Sequence, residues 1–515
     1  MSEVEKDTMK LEIKMFRDPW LDNAIENIYT ILREIEGCET ELSENSLILT
    51  IRDYQKFTKE LSKAVIDRRM NLIVEDKDEK TGEKKEIKKD HVLIQEEKKI
   101  GGKVSLKEEI YDPERTHEVV SKIFKQNNGD NLCILCGRQF NKSVKKLQQA
   151  SYPLVTKIAS LSGVRSYKNG KSLSLKEYYE NLCPICYFLG ILEWTDDAVI
   201  YRTFLGEKSL IFMPQFENLK KLHSFKKSCR DSEILHTMGR YSNIRLKPNS
   251  SEVESTPGEY STLLCFYEKF VEIATDEIPV KEWSVIHVPF GAVKNIKVET
   301  ISISEDILGT IKRLKETEKL ERIYADLIRK LDFYSEKKKE REWEVTKEIR
   351  ESLSRYFLTD DFRNFTNTLL PRKGGFVIFS SQVGENLEEL ILEWRWRKMG
   401  VEKERLDAIK SFGNILAKVS EENASLLYKM DRARSIEEFW SVLREVARKL
   451  LGLEDNDLKK IKPTAIDDVI YLVKQIVEKD REGWKEVRDL IVVYASMYHS
   501  LNRLSKIQKE GGEEK

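Results

Sequence analysis

Four cysteines carry the most specific chemistry in this sequence. They stand in two copies of one pattern, Asn131-Leu132-Cys133-Ile134-Leu135-Cys136 and Asn181-Leu182-Cys183-Pro184-Ile185-Cys186, with 46 residues between Cys136 and Cys183. A C-x-x-C turn sets two sulfurs on one side of a tight loop. Two such turns complete a tetrahedral sulfur shell for one cation, most often zinc. Cys133, Cys136, Cys183 and Cys186 are therefore the candidate ligands of a structural Zn2+. Four thiolates leave no open position for water, which argues against a catalytic zinc. An iron–sulfur cluster uses the same ligands, and disulfides or free thiols are the metal-free alternatives. Gly137 follows the first pair, where such a turn often needs a residue of positive φ.

The segment enclosed by the two turns is strongly basic. It holds nine Lys and Arg residues against Glu177 and Glu180, an excess of seven positive charges in a chain whose net charge is zero. Tyr152, Tyr167, Tyr178 and Tyr179 are interleaved. A metal-pinned module of this charge suits phosphate contact. Arg138, Lys142, Lys145, Lys146, Arg165, Lys168 and Lys171 are the candidate nucleic-acid-binding residues. The competing reading is that some of these cations balance the formal −2 of a zinc tetrathiolate. A second basic and aromatic cluster, Trp394-Arg395-Trp396-Arg397-Lys398, has the composition of a base-stacking site. Its two Trp residues do not share a helix face, so one of them is expected in the core.

Signals for catalysis are absent. Gly101-Gly102-Lys103-Val104 lacks the upstream Gly and the hydroxyl of a phosphate-binding loop, and His117-Glu118 is not followed by a second His at ligand spacing. No nucleophile elbow occurs. The six histidines read as surface or satisfied core residues. The chain reads as a protein that is not an enzyme.

The elements that position these residues are legible in outline. Residues 10–16 alternate as a half-buried strand. Asp18-Pro19 starts a helix, with Asp as cap and Pro in the first turn. A strand at 46–51 and a helix over 53–66 follow. Residues 75–89, nearly all Lys, Glu and Asp, read as a solvated hairpin tip or loop. Segments 198–204 and 209–213 make a hairpin, and 283–288 and 295–304 read as strands. Residues 305–358 read as long charged helices, with one short strand at 376–380. Four amphipathic helices end the chain. They begin near Leu406, at the Ser435/Glu438 capping box, at Thr464/Asp467 and at Trp484, and they suggest an antiparallel bundle.

The expected class is thus α+β. A mixed N-terminal domain over 1–304 carries an inserted four-cysteine zinc module at 131–186. A charged helical connector at 305–400, a helical bundle at 401–506 and a disordered tail at 507–515 complete an all-helical C-terminal region. At 515 residues, two to four domains are expected. Charged residues make up 35% of the chain, a composition resembling that of proteins from thermophiles. No signal peptide or membrane-spanning run is evident, so the chain reads as cytoplasmic. That setting favours metal over disulfide for the cysteines.

Taken in order, these features resemble the CXXC–CXXC family of CRISPR-associated proteins, the large subunit of type I CRISPR surveillance complexes (Cascade). The resemblance rests on Asp18-Pro19-Trp20-Leu21-Asp22-Asn23-Ala24-Ile25, on the paired Cys133/Cys136 and Cys183/Cys186 turns around a basic insert, and on the terminal helical bundle. Asn23-Ala24 departs from the alanine-glycine of the family's opening. The resemblance implies a non-catalytic subunit that recognises the PAM in double-stranded target DNA, helps to open the duplex and takes part in recruiting a helicase–nuclease effector. It implies as partners the backbone filament, the subunits that hold the guide handle, and the CRISPR guide RNA, with base pairing to the guide supplying sequence specificity. Two other readings stand beside it: a zinc-stabilised nuclease or other nucleic-acid enzyme, and a purely structural assembly subunit.

Overall fold

The computed structural model describes residues 8–68, 70–77, 84–91, 95–100, 103–109, 112–125, 129–141, 181–196, 198, 200–204, 208–231, 256–275, 282–289, 297–317, 320–399, 405–421, 423–452, 462 and 464–512. The chain divides into two compact units. One comprises Met1–Glu254 with Asp276–Ser302, the other Ser255–Thr275 with Ile303–Lys515. The division lies beside the boundary expected near residue 304, but residues 255–275 belong to the second unit. Both strands and helices build the molecule, so its class is α+β.

The first unit opens with β1 (Met9–Lys14) and α1 (Pro19–Leu32). The Asp18 carboxylate accepts from the Trp20 and Leu21 amides at 3.0 and 2.9 Å, and Pro19 occupies the first turn. Strands β2 (Cys38–Leu42) and β3 (Ser46–Ile51) complete an antiparallel sheet in the order β1-β3-β2, with Leu49 opposite both Leu11 and Thr40. Helix α2 (Tyr54–Asp67), capped by Asp53, follows. Strands β4 (Met70–Lys77) and β5 (Lys84–His91) pair as far as Lys77 and Lys84, so the charged run at 75–89 is a hairpin whose tip lies outside the described residues. A second ladder joins β6 (Gln95–Ile100) and β7 (Lys103–Glu109). Helix α3 (Pro113–Phe124) leads to a short hairpin of β8 (Asn131–Leu132) and β9 (Gln139–Phe140), and after the insert comes α4 (Pro184–Leu192). The expected hairpin forms from β10 (Ile200–Phe204) and β11 (Lys208–Gln215), and α5 (Leu219–Asp231) follows it. Strands β12 (Glu282–Pro289) and β13 (Lys297–Ser302) extend β10 and β11 into a four-stranded antiparallel sheet.

Every residue of α4 from Ile185 to Leu192 is buried. A helix that is apolar on all sides must be enclosed, and α1 and α3 pack against it. Trp20 Nε1 donates to the Gly190 carbonyl at 2.8 Å, and Asn27 Nδ2 to the Leu192 carbonyl at 3.1 Å. Asn23 Nδ2 donates to the Pro214 carbonyl of β11 at 3.1 Å. The Asp18-to-Ile25 motif is therefore architectural. It ties α1 to the helix that carries two of the four cysteines.

The second unit begins with α6 (Glu259–Thr275), which packs on α7 (Glu305–Lys315) and α8 (Trp343–Leu358). The region expected to be all-helical contains a three-stranded sheet. Strand β14 (Asp332–Ser335) lies between β15 (Glu340–Arg341) and β16 (Gly375–Ile378). The polar patch at 336–342 is not helical. Residues 336–339 make the turn between β14 and β15, with Lys339 at φ 56°, and Glu340–Arg341 are β15 itself. Alternation decides this, because Phe333 and Ser335 are buried while their neighbours are not. Helix α9 (Phe362–Leu369) precedes β16, and α10 (Ser381–Ile391) follows it.

Among the described residues, five helices follow: α11 (Leu406–Val419), α12 (Ser425–Arg432), α13 (Ile436–Leu450), α14 (Ala465–Lys479) and α15 (Trp484–Gly512). Helix α12 is additional to the four expected. Among the described residues, α11 and α15 pair at the centre, α13 and α14 each pack on α11, and α9 and β16 pack against α15. The expected disordered tail is helical through Gly512, since its Lys, Glu and Gln residues favour continued helix. Ser435 caps α13 as expected, accepting from the Glu438 amide at 3.2 Å. Thr464 does not cap α14 in this way; its hydroxyl donates to Asp468 Oδ2 at 3.0 Å.

The α11–α15 crossing depends on Gly413. A Cβ there would lie 2.7 Å from the Tyr494 Cβ and 3.2 Å from the Ala495 amide nitrogen. Gly413→Ala is expected to cost about 1–3 kcal/mol by overpacking. A lowered thermal midpoint checks this, and an unchanged one would show that the two helices slide apart freely.

Candidate metal centre

The two C-x-x-C turns meet. The four cysteine sulfurs all lie within 4.8 Å of one another. Cys136 Sγ and Cys183 Sγ are 3.6 Å apart, close to the spacing of about 3.8 Å between sulfurs bound tetrahedrally to zinc at about 2.3 Å. The donors match a soft divalent cation, so the residues present fit a metal such as zinc.

Local backbone chemistry shapes each half. In the first turn the Gly137 amide donates to the Cys133 carbonyl at 2.9 Å, and the Cys133 amide donates to the Arg138 carbonyl at 2.8 Å. Gly137 takes φ +70°, as its position implied, and nothing lies within 4 Å of where its Cβ would be. Backbone conformation therefore selects glycine there, not space. In the second turn Cys183 caps α4, and its sulfur accepts from the Cys186 amide at 3.5 Å. The Cys183 amide donates in turn to Cys133 Sγ at 3.3 Å, and the Ile134 amide to the Asn181 carbonyl at 3.1 Å. These last two bonds lock the halves together across the insert.

Cys133, Cys183 and Cys186 are buried and Cys136 is exposed. Crowding divides their ionisation. Hydrogen bonds from Cys136 first, then Cys183 and Cys186, hold Cys133 far below the usual thiol range. Cys136 is raised by Cys133 and lowered more by Cys183 and Cys186, and ends at about 7. Cys183 and Cys186 are both pushed up, chiefly by Cys133. Four negative sulfurs this close repel strongly unless a cation sits among them. None of the cysteines is in a disulfide.

The predicted nucleic-acid residues fare unequally. Arg138 is half-buried, and its Nη2 donates to the Glu12 carbonyl on β1 at 2.9 Å, so it braces the first turn against the sheet. Lys142, Lys145, Lys146, Arg165, Lys168 and Lys171 lie outside the described residues. The Trp394–Lys398 cluster is not available for stacking on bases. Both Trp residues are buried, because the π-helical turn Leu392–Trp396 is covered on more than one side. Trp394 sits edge-on among Phe357, Phe362 and Phe365, and α7 packs on the same turn. Arg395 bonds to the Asp360 carbonyl at 3.1 Å, Arg397 to Glu393 at 3.1 Å and Lys398 to Asp306 at 3.1 Å.

A buried charge network at the far end of α4 had no counterpart in the sequence reading. Lys226 on α5 is fully buried and reaches Glu26 on α1 at 3.0 Å, and also Asp196. Arg230 holds both Glu26 oxygens at 2.8 Å, and His223 Nδ1 meets Glu26 Oε1 at 2.8 Å. Burial alone would lower Lys226, yet Asp196, then Glu26 and Glu193, reverse this and raise it. Glu26 and Asp196 are held low against their own burial, chiefly by Lys226. Glu193, also buried, is pushed well above the carboxylate range by burial, with Asp196 adding to the rise and Lys226 opposing it. A neutral Glu193 leaves two carboxylates facing two cations, a balanced set. The legible signal was charge on apolar faces: Glu26 between Ile25 and Ile28, and Lys226 and Arg230 one turn apart beside Leu222, Phe225 and Cys229.

The sequence matches no model of a protein family, and no curated protein matches it. Among the described residues, no helix is long and apolar enough to cross a membrane.

Proposed function

We propose that the chain is the non-catalytic large subunit of a type I RNA-guided CRISPR interference complex, and that it recognises PAM-containing target DNA and helps to open it. The observation that carries this reading is the coupling of its two most specific sequence features. The Asp18-Pro19-Trp20 opening and the cysteine turns are far apart in the chain, yet Trp20 bonds to the helix that Cys183 caps. In this reading the metal is structural zinc, held by Cys133, Cys136, Cys183 and Cys186 in a closed shell that supplies no reactive water. The shell ties together the two ends of the basic segment from 137 to 182. The guide RNA supplies sequence specificity and a separate helicase–nuclease performs cleavage.

Titrating labelled PAM-containing duplex against the protein assembled with its guide-bound neighbours, at several salt concentrations, tests this. With about four phosphates neutralised, log affinity should fall against log salt with a slope near −3.6. Lys142/Lys145/Lys146→Ala should weaken binding for all sequences alike and flatten the slope. A flat salt response, or no loss in that variant, would favour a purely structural assembly role. Reproducible cleavage by the isolated chain with Mg2+ would overturn the non-catalytic reading.

A further inference from the structure

The second unit carries an apolar seat whose chemistry is unrelated to the metal centre. Helices α13 and α14 each bury one face against α11, yet each has a second apolar stripe. On α13 the stripe is Ile436, Trp440 and Ala447, beside the buried Leu443; on α14 it is Ile466, Ile470 and Val477. The two stripes line one open groove of about 630 Å³. Leu451, 88% exposed, continues the first stripe by another turn. A helix side that faces only water is normally polar, and two facing stripes on a common support are the seat of a third helix.

The charges say which kind of helix fits. Arg444 and Lys474 line the groove among these apolar residues. Among the described residues neither has an ion-pair partner, although nearby cations do: Lys429 pairs with Glu445 and Lys462 with Asp468, both at 2.8 Å. Glu478 stands one turn beyond Lys474, so the groove is cationic along its middle and acidic at that end. Two cations within an aliphatic wall are too few for a nucleic-acid backbone, which needs a run of them. They suit carboxylates set between apolar anchors on a helix.

We propose that this groove docks an amphipathic helix of another protein, with an apolar face and acidic side chains near its middle that pair with Arg444 and Lys474. The proposal stands independently of the DNA reading.

Fluorescence anisotropy with the full chain and two labelled helical peptides tests it. Each peptide has about 15 residues, enough for four turns, with Leu at i, i+3, i+4 and i+7 and either Glu or Lys at its middle flanks. The acidic peptide should bind about tenfold more tightly than the basic one, and Arg444→Glu with Lys474→Glu should reverse that order. Both substitutions are at exposed positions, so folding survives them. Trp440→Ser should abolish binding of either peptide. Failure of both peptides to bind, or an order that charge reversal leaves unchanged, would overturn the proposal. So would self-association in sedimentation that Trp440→Ser abolishes, because the seat would then belong to a second copy of this chain.

Discussion

Replacing Cys183 by serine is expected to strip the chain of its metal and to loosen the packing around α4. Cys183 has three roles at once: it is a candidate ligand, it caps α4, and its amide donates to Cys133 Sγ at 3.3 Å. Serine keeps a capping oxygen but offers no thiolate, so the variant isolates the metal from the cap. A structural zinc contributes on the order of 10 kcal/mol to folding of the residues it joins. That exceeds the loss from any ordinary single core substitution. Elemental analysis should find one zinc per wild-type chain and much less in the variant. Chelation should release four titratable thiols and lower the thermal midpoint. Hydrogen exchange should quicken first in α1 and α3, the helices packed on α4. A wild-type protein with no metal, four reactive thiols and an unchanged midpoint on chelation would refute the metal centre.

Lys226→Met should be the next most damaging change, for an electrostatic reason. The ammonium is fully buried and faces Glu26 at 3.0 Å, Asp196, and Glu193 at 4.0 Å. Methionine fills the space but leaves buried carboxylates short of a cation, and breaking such a set costs about 3–5 kcal/mol. The defect should shrink in acid, because Glu26 and Asp196 can then escape by protonation. In the wild type the two kinds of carboxylate act in opposite directions with pH. Glu26 and Asp196 are lowered in the fold, so their contribution is present above their ordinary values of 4.5 and 3.8 and is lost as pH falls through the lowered ones. Glu193 is raised, so its contribution is present below 4.5 and is lost as pH rises toward its folded value. Glu193→Gln keeps the shape without the titration and should flatten only the alkaline side of a stability–pH curve. Parallel curves for Glu193→Gln and wild type would show that Glu193 carries no proton in the fold. A Lys226→Met loss below about 1 kcal/mol would place the network in reach of water.

Features set within a few residues of one another were the legible ones. The Asp18 cap, the Pro19 turn, the Ser435 box, the 200–212 hairpin and the positive φ of Gly137 each follow from side-chain chemistry acting over one to eight positions. The readings that failed depended on a neighbour far away in the chain. Trp394 and Trp396 point to different sides of one turn, and the expectation that only one is core assumed a helix with a wet face. The polar patch at 336–342 looks helical by composition, and it becomes a strand connection because β14 pairs with β16 some forty positions on.

What the sequence determined by itself was the four-cysteine set, the turns that carry it and the helices that frame the chain. Those depend on spacing and on backbone preferences, which act locally. Only the tertiary structure decided that α4 joins the four-cysteine site at one end to a buried charge network at the other, and that α13 and α14 line an apolar groove between them. Burial reverses the value of a charge: Lys226 on an exposed face would contribute little, while enclosed with Glu26 and Asp196 it holds three elements together. Whether a residue is enclosed depends on which distant segments cover it, and spacing along the chain does not encode that.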